Sequence, residues 1–357
     1  MSHRASQNIM QQAEIALILN PGSGSNDEEF SRKVRAALEE SGRLFICLET
    51  DPEKGAAPAV EKAAASGVNT IVVCGGDGTV MSAVNALGKA DADIKLAIVP
   101  GGTANLLAHA LSIPLDVERA MAAALEGDER RIDLGACGHT LFALGLGLGL
   151  TEKLVSGASA EEKERLGKWA YVKAMLQEVG TRPSAFTYTV DEGDEQTANG
   201  VAVVVANAGT LSGKIEFAPD AKMDDGKLDL VILHRLNARD LVRLAWKSVF
   251  GEMKNDRAIT CVAGKTIQIK SNPPLDLQID GETVELHPPL RVEVRPDALR
   301  VAVPSEEQKF SSAQAVTKAL TQEIVKPMTK KVTRLRWWVW VLFGALISAL
   351  VWKSRRK

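Results

Sequence analysis

The chain has 357 residues, 45% of them apolar, with a formal net charge of −2, so it can fold as one large or two medium domains around a hydrophobic core. Its charge is uneven, because nine Lys or Arg and no acidic residue follow Glu323, which leaves 34 basic and 45 acidic residues before that point. A mildly acidic body argues against a nucleic-acid partner. The four scattered cysteines form no C-x-x-C pair and are interpreted as small buried hydrophobic residues.

The first part of the chain alternates short apolar runs with helical patterns. Strands are expected at 15–19, 43–48 and 70–74, and helices at about 27–41 and 56–66. This alternation predicts a doubly wound parallel sheet.

The second half has a different pattern, in which strand-like runs follow one another with turns and few helices between them. The runs are 198–206, 228–233, 266–270 and 290–294, and the helices are expected at about 161–179 and 238–250. We therefore predict a second, mostly antiparallel β domain.

Three apolar runs of the first part each end in a glycine-rich segment that opens a helix. The segments are Asn20-Pro21-Gly22-Ser23-Gly24, Gly75-Gly76-Asp77-Gly78-Thr79 and Pro100-Gly101-Gly102-Thr103-Ala104-Asn105. Glycine lets backbone N–H groups approach phosphate oxygens closely, and a helix N-terminus favours an anion. Since parallel strands end at one edge of the sheet, the three segments predict one nucleotide-phosphate site rather than three unrelated tight turns.

Two acidic motifs in the second half each allow a structural and a functional interpretation. Asp224-Asp225-Gly226 is typical of a β-turn and could also hold a cation. Asp280-Gly281-Glu282 lies between alternating runs, which predicts a hairpin, and it could also supply a general base. A site can occupy a turn, so the two interpretations stay open for both motifs.

Together with Ala218-Pro219-Asp220 and the residues up to Asp229, these motifs resemble the diacylglycerol kinase catalytic family, over about residues 13–303. That family includes bacterial soluble lipid kinases, sphingosine kinases and ceramide kinases. The resemblance implies an NAD kinase/diacylglycerol kinase-like α/β fold, with the active site in the cleft between two domains. These would be a nucleotide-binding α/β domain at 13–130 and a β-rich lipid-binding and catalytic domain at 131–303, with the end of the chain returning to the first.

The resemblance also implies an ATP- and Mg²⁺-dependent kinase that phosphorylates the hydroxyl of diacylglycerol or a related lipid. Glu282 would be the general base, with Asp280 and Asp77 as further catalytic residues. A structural Mg²⁺ would be held by the Asp225 side chain and by the carbonyl groups of Lys222 and Lys227. The residues expected to line the ATP site are Asn20, Pro21, Gly22, Ser23, Gly24, Thr50, Gly75, Gly76, Asp77, Gly78, Thr79, Val80, Met81 and Thr103.

The C-terminal residues predict a membrane attachment. A polar helical linker at 304–336 precedes 16 uncharged residues, 337–352, and a basic tail, 353–357. Four of the six tryptophans bracket the uncharged run, as at membrane interfaces. A helix of this length is ~24 Å long against a hydrocarbon core of ~30 Å, so it could span the membrane or lie in its interface. The catalytic body would then be cytoplasmic; a homodimer is compatible with the sequence.

Two other functions fit part of this pattern. An NAD kinase shares Gly75–Thr79, but that family typically has an Asn-Asn-x-Glu motif, and this chain contains no Asn-Asn pair. A catalytically silent, membrane-tethered nucleotide-binding protein is the other alternative. The presence of all three carboxylate motifs favours an enzyme over such a sensor.

Overall fold

The computed structural model describes residues 13–21, 28–90, 92–149, 183–209, 218, 220–234 and 258–308. The helices longer than one turn in these ranges are α1 (Glu28–Glu40), α2 (Ala57–Ala65), α3 (Asp77–Ala90), α4 (Leu106–Ala110) and α5 (Val117–Glu126). The strands are β1 (Ile15–Leu19), β2 (Phe45–Glu49), β3 (Thr70–Gly75), β4 (Lys95–Pro100), β5 (Asp128–Cys137), β6 (Thr140–Phe142), β7 (Gly145–Leu148), β8 (Ser184–Val190), β9 (Gln196–Gly200), β10 (Ala202–Ala206), β11 (Leu228–Leu233), β12 (Ile259–Gly264), β13 (Thr266–Asn272), β14 (Leu277–Ile279), β15 (Glu282–Val284) and β16 (Leu290–Val303).

The predicted parallel sheet is confirmed and forms one end of a larger sheet. Its strands are ordered β2-β1-β3-β4 and all run parallel. All residues of β1 and β3 are buried, as expected for strands covered on both faces. Helix α1 buries Phe30, Val34 and Leu38, which follow the helical period of about four residues and so share one face.

The same sheet continues into strands from the second half of the chain. The order runs on as β4-β16-β13-β8-β9, with β5 also paired to β16. Strand β16 is parallel to β4 but antiparallel to β5 and β13. A sequence run expected at 290–294 is thus the start of a 14-residue strand, with an irregularity between Arg295 and Leu299.

The second sheet is antiparallel, as predicted, in the order β12-β11-β10-β7-β14-β15. Its inward side chains share a core with β8, β13 and β16 of the first sheet. The run expected as one strand at 198–206 is instead two strands in different sheets. The change occurs at Val201, whose N–H donates to the carbonyl of Leu233. Gly200 permits the crossing, because a Cβ there would lie 2.8 Å from the same oxygen.

The described residues up to Pro304 form one compact unit, and the chain from Ser305 onward belongs to a second. None of the helices described is long and apolar enough to cross a membrane. The helices expected at 161–179, 238–250 and 337–352 lie outside the described residues. So do the basic tail and the 304–336 linker beyond residue 308.

Candidate active site

The first two glycine-rich segments meet where β1 and β3 end. Asn20, just after β1, donates its side-chain amide to the hydroxyl of Thr79 over 2.8 Å. Thr79 lies in the first turn of α3 and is 8% exposed. A side-chain hydrogen bond between residues 59 positions apart in the chain therefore joins the two predicted loops.

The third segment packs directly against the second. A Cβ on Gly102 would lie 2.6 Å from the Cα of Gly76, so the two backbones nearly touch. Asn105 holds the turn, accepting from the Gly102 N–H and donating to the Gly102 carbonyl. One carboxylate oxygen of Asp77 accepts the N–H of Leu106 at the start of α4. The carboxylate in the predicted cradle thus connects two of the three loops.

The other predicted ATP residues differ in how they are placed. Thr50 follows β2 and donates its N–H to the carbonyl of Leu19, which puts it at the same sheet edge. Thr103 is exposed between β4 and α4. The side chains of Val80 and Met81 are 4% and 8% exposed and pack in the hydrophobic core. Their contact with a nucleotide stays a prediction, as does that of Gly22–Gly24, which lies outside the described residues.

The Asp280-Gly281-Glu282 motif forms the predicted hairpin. Strands β14 and β15 pair with Ile279 opposite Glu282, leaving a two-residue turn. Asp280 and Gly281 have φ values of +48° and +90°, as a type I′ turn requires. The exposed Glu282 side chain reaches the N-terminus of α3, where its Oε1 lies 3.2 Å from the position of a Cβ on Gly78. The hairpin therefore brings a carboxylate to the predicted nucleotide cradle.

Asp280 is placed differently from Glu282. Its carboxylate accepts three backbone N–H groups, those of Ala143, Leu144 and Gly145, each over 2.9 Å. Burial raises the pKa of this carboxyl to about 6; the charge of Asp77 also raises it, and the three hydrogen bonds lower it. Both oxygens of Asp280 are engaged by the backbone, which suits a structural clamp better than a base.

The predicted magnesium loop is a turn fixed to β5. Asp225 accepts the N–H of Lys227 over 3.0 Å, and Gly226 donates its N–H to the buried carboxylate of Asp133. No group of three or more His, Cys, Asp or Glu suited to a metal occurs in the described part of the chain. A cation here would depend on one carboxylate with backbone carbonyls, including that of Lys222, and that site stays a prediction.

Three polar residues that the sequence analysis did not single out connect these parts. Asp133, 1% exposed, also accepts the N–H of Asp297. Asn207, fully buried, donates to the carbonyls of Asp133 and Ala143. Asn85 on α3 bonds the backbone of β6. The available signal was a single polar residue inside an otherwise apolar pattern, which does not identify its partner.

The arrangement fits a nucleoside triphosphate and a divalent cation. Two glycine-rich turns approach so closely that a Cβ would fill the space between them, and α3 presents its N-terminus beside them. Asp77 supplies a hard oxygen ligand in that cradle, the type that Mg²⁺ prefers. The glycine turns are therefore compatible with phosphate oxygens, and Asp77 with a cation that would take its other ligands from phosphate and water.

The contact between the two glycine turns gives a testable result. We expect Gly102→Ala to weaken ATP binding about tenfold or more, because its Cβ would lie 2.6 Å from the backbone of Gly76 and would push the turns apart. Gly76→Ala is the matched variant, with a nearest contact of 3.3 Å, and should have a smaller effect. Calorimetric titration of both variants with ATP measures this; equal affinities for both would contradict the contact model.

Comparison with known proteins finds one matching domain model in each half of the chain. Residues 14–137 match the model of the diacylglycerol kinase catalytic domain, and residues 151–303 match that of the YegS C-terminal NAD kinase beta sandwich-like domain. A protein of Pseudomonas aeruginosa named probable lipid kinase YegS-like is 31% identical, covering 83% of this chain and 96% of that protein. The diacylglycerol kinase of Bacillus subtilis is 30% identical, covering 74% and 88%.

A crystal structure has the same fold. That of a diacylglycerol kinase from Bacillus anthracis superposes with a TM-score of 0.67 at 26% identity, covering 81% of this chain and 96% of that one. Sequence relatives, domain models and fold therefore agree, and the chain belongs to the diacylglycerol kinase catalytic-domain family.

Proposed function

We propose that this protein is an ATP-dependent kinase that phosphorylates the hydroxyl of diacylglycerol or a related lipid. The observation that carries the proposal is the position of Glu282, whose carboxylate lies over Gly78 at the N-terminus of α3. A carboxylate thus lies beside a glycine-rich helix start, which is the arrangement that a base and a phosphate cradle would need. The names of the relatives, lipid kinase and diacylglycerol kinase, support a lipid as the acceptor.

In this proposal each part of the site has one task. The backbone N–H groups of the glycine turns bind the phosphate oxygens of ATP and hold the terminal phosphorus still. Bound Mg²⁺ would spread the negative charge that develops on the transferred group. Asp77 holds a negative oxygen at the cradle and joins the second turn to α4. Glu282 accepts the proton of the lipid hydroxyl as the hydroxyl oxygen bonds to the terminal phosphorus, and the bond from that phosphorus to ADP breaks. Asp225, Lys222 and Lys227 are proposed as the separate structural Mg²⁺ site.

The proposal is tested by following the terminal phosphate. Full-length protein is incubated with radiolabelled ATP and Mg²⁺, first with a detergent-dispersed lipid extract and then with purified diacylglycerol. Label in an organic-soluble product, lost on chelation of Mg²⁺, supports the proposal. NAD⁺ is offered as a second acceptor. Label transferred to NAD⁺ but to no lipid would instead favour the NAD kinase alternative, and no transfer to either would favour a silent nucleotide-binding protein.

Membrane attachment through residues 337–352 is a separate proposal, supported by the uncharged run and its basic flanks. Each basic residue near an anionic surface contributes about 1 kcal/mol, so the nine after Glu323 favour binding. We expect a chain ending at Glu323 to lose sedimentation with anionic vesicles yet to phosphorylate detergent-dispersed lipid. Equal sedimentation of the full-length and shortened chains would contradict the proposal.

A further inference from the structure

Residues Leu141–Gly145, here called the linking segment, run from within β6 to the first residue of β7 and lie between the two halves of the site. The segment is buried throughout. Its backbone polar groups therefore need partners within the protein, since unpaired ones would be costly. The side chains that supply those partners therefore fix the position of the segment.

The far end of the linking segment is held by two side chains. Asp280 takes the three N–H groups of Ala143–Gly145 and returns its own N–H to the Gly145 carbonyl. Asn207 donates its amide to the Ala143 carbonyl, and its N–H goes to the Leu144 carbonyl. The position of this end therefore fixes the turn from which Glu282 projects.

The near end is held by Asn85, on the helix that carries the nucleotide cradle. Its side chain accepts the N–H of Leu141 over 3.0 Å and donates to the Leu141 carbonyl over 2.9 Å. The Asn85 amide thus pairs with both backbone groups of Leu141, as a neighbouring strand would. One turn later, a Cβ on Gly88 would lie 2.5 Å from the Leu141 side chain, so α3 and the segment touch directly. Only a residue with both a donor and an acceptor satisfies Leu141 in this way.

These contacts start and end on α3 and are here called the contact circuit. Helix α3 begins with Asp77 and Gly78, and its Asn85 fixes Leu141. The segment continues to the three N–H groups bound by Asp280, two residues before Glu282. The Glu282 side chain then returns to Gly78 on the same helix. These contacts thus lead from the helix that carries the predicted cradle, through Asn85 and the linking segment, to the turn before Glu282.

We propose that Asn85 is a positioning residue, which fixes Glu282 relative to the nucleotide cradle through the linking segment. The inference rests on the proposed function, because it takes Glu282 as the base. Asn85 touches neither ATP nor lipid in this account. Misplacement of a reacting group by about 1 Å can cost on the order of 10²-fold in rate, so a side chain one helix turn or more away can matter.

The kinetic test compares three variants of the full chain. Asn85→Leu keeps the branching at Cγ but makes none of the hydrogen bonds, and it should lower kcat about tenfold or more with little change in the KM for ATP. Asn85→Asp keeps an acceptor for the Leu141 N–H, but its carboxylate repels the Leu141 carbonyl oxygen, so it should also lower kcat. This variant tests the proposal if the leucine variant does not fold. Lys89→Ala, exposed one turn further along α3, should leave kcat unchanged.

A double variant separates positioning from general loosening of the helix. If Asn85 acts through the Glu282 carboxylate, Asn85→Leu should lower kcat by less than about twofold in a Glu282→Gln background. A merely structural role would instead multiply the two losses. Multiplied losses, or a change confined to the KM for ATP, would overturn the proposal.

Hydrogen exchange tests the contact circuit without requiring kinase activity. In Asn85→Leu, the amides of Ala143–Gly145 and of the 280–282 turn should exchange faster, although Asn85 bonds none of them. Faster exchange confined to Leu141 would overturn the proposal that Asn85 fixes the turn through the linking segment. If wild-type protein transfers no phosphate, the proposed function fails, while this measurement still decides whether Asn85 controls the turn.

Discussion

Asp77→Asn is expected to reduce phosphoryl transfer by at least about 10²-fold, the size typical of losing one preorganised electrostatic group. The variant removes the only carboxylate of the Gly75–Thr79 cradle and with it the negative oxygen available to Mg²⁺. The asparagine carbonyl can still accept the N–H of Leu106, so α4 should stay joined to the cradle. Turnover with detergent-dispersed lipid and the melting temperature are measured together, and only turnover should fall.

The matched control is Asp116→Asn, which makes the same chemical change at another helix start. Asp116 accepts the N–H of Arg119 at the beginning of α5, where it is exposed. It should leave turnover unchanged. Near-normal turnover of Asp77→Asn would remove Asp77 from the mechanism.

Asp77→Asn also has a consequence for stability. The charge of Asp77 helps to raise the pKa of Asp280 to about 6 from an ordinary value of 3.8. A carboxyl whose pKa is raised by folding holds its proton longer in the folded state, so the free energy of unfolding falls as the pH rises through that window. Neutralising Asp77 lowers the pKa of Asp280. The free energy of unfolding should then fall less as the pH rises. Denaturant titrations between pH 4 and pH 7 measure it.

The sequence predicted those features that depend on local patterns. Continuous apolar runs predicted β1 and β3 nearly to the residue, since a strand buried on both faces is almost wholly apolar. Asp280-Gly281 gave the hairpin, because a type I′ turn favours residues that tolerate positive φ. The meeting of the glycine-rich segments followed from one further rule, that parallel strands end at the same edge.

Features that depend on long-range partners could not be read from local patterns. Nothing before Val201 shows that the chain changes sheets there, because both flanking runs look like strands. The partners of Asp280, Asn85 and Asn207 are backbone groups, which carry no sequence signature. The same holds for the N–H groups of residues 143–145, because a backbone donor carries no sign of the carboxylate that binds it. For the same reason the residues alone could not show that the backbone holds the carboxylate of Asp280 while that of Glu282 is exposed.

Glu282→Gln should lower kcat by about 10²–10⁴-fold, the range for loss of a general base. Glutamine keeps the length and shape of the side chain over Gly78 but cannot accept the hydroxyl proton. ATP affinity should change little, because the glycine turns belong to other loops. Steady-state kinetics with lipid give kcat, and a separate titration with ATP gives the affinity for ATP. Glu285→Gln, an exposed neighbour just after β15, is the matched control and should behave as wild type.

The comparison with Asp280→Asn then assigns the two carboxylates of the hairpin. An amide NH₂ at position 280 would face the backbone N–H groups of Ala143–Gly145, so this variant should disturb the turn and lower the melting temperature as well as kcat. Glu282→Gln should lower kcat alone, because its side chain is exposed. Equal kcat for wild type and Glu282→Gln across the pH range would rule out Glu282 as the base. Asp280 would then have to leave its three backbone partners to take that role, and Asp280→Asn would have to abolish the pH dependence of kcat.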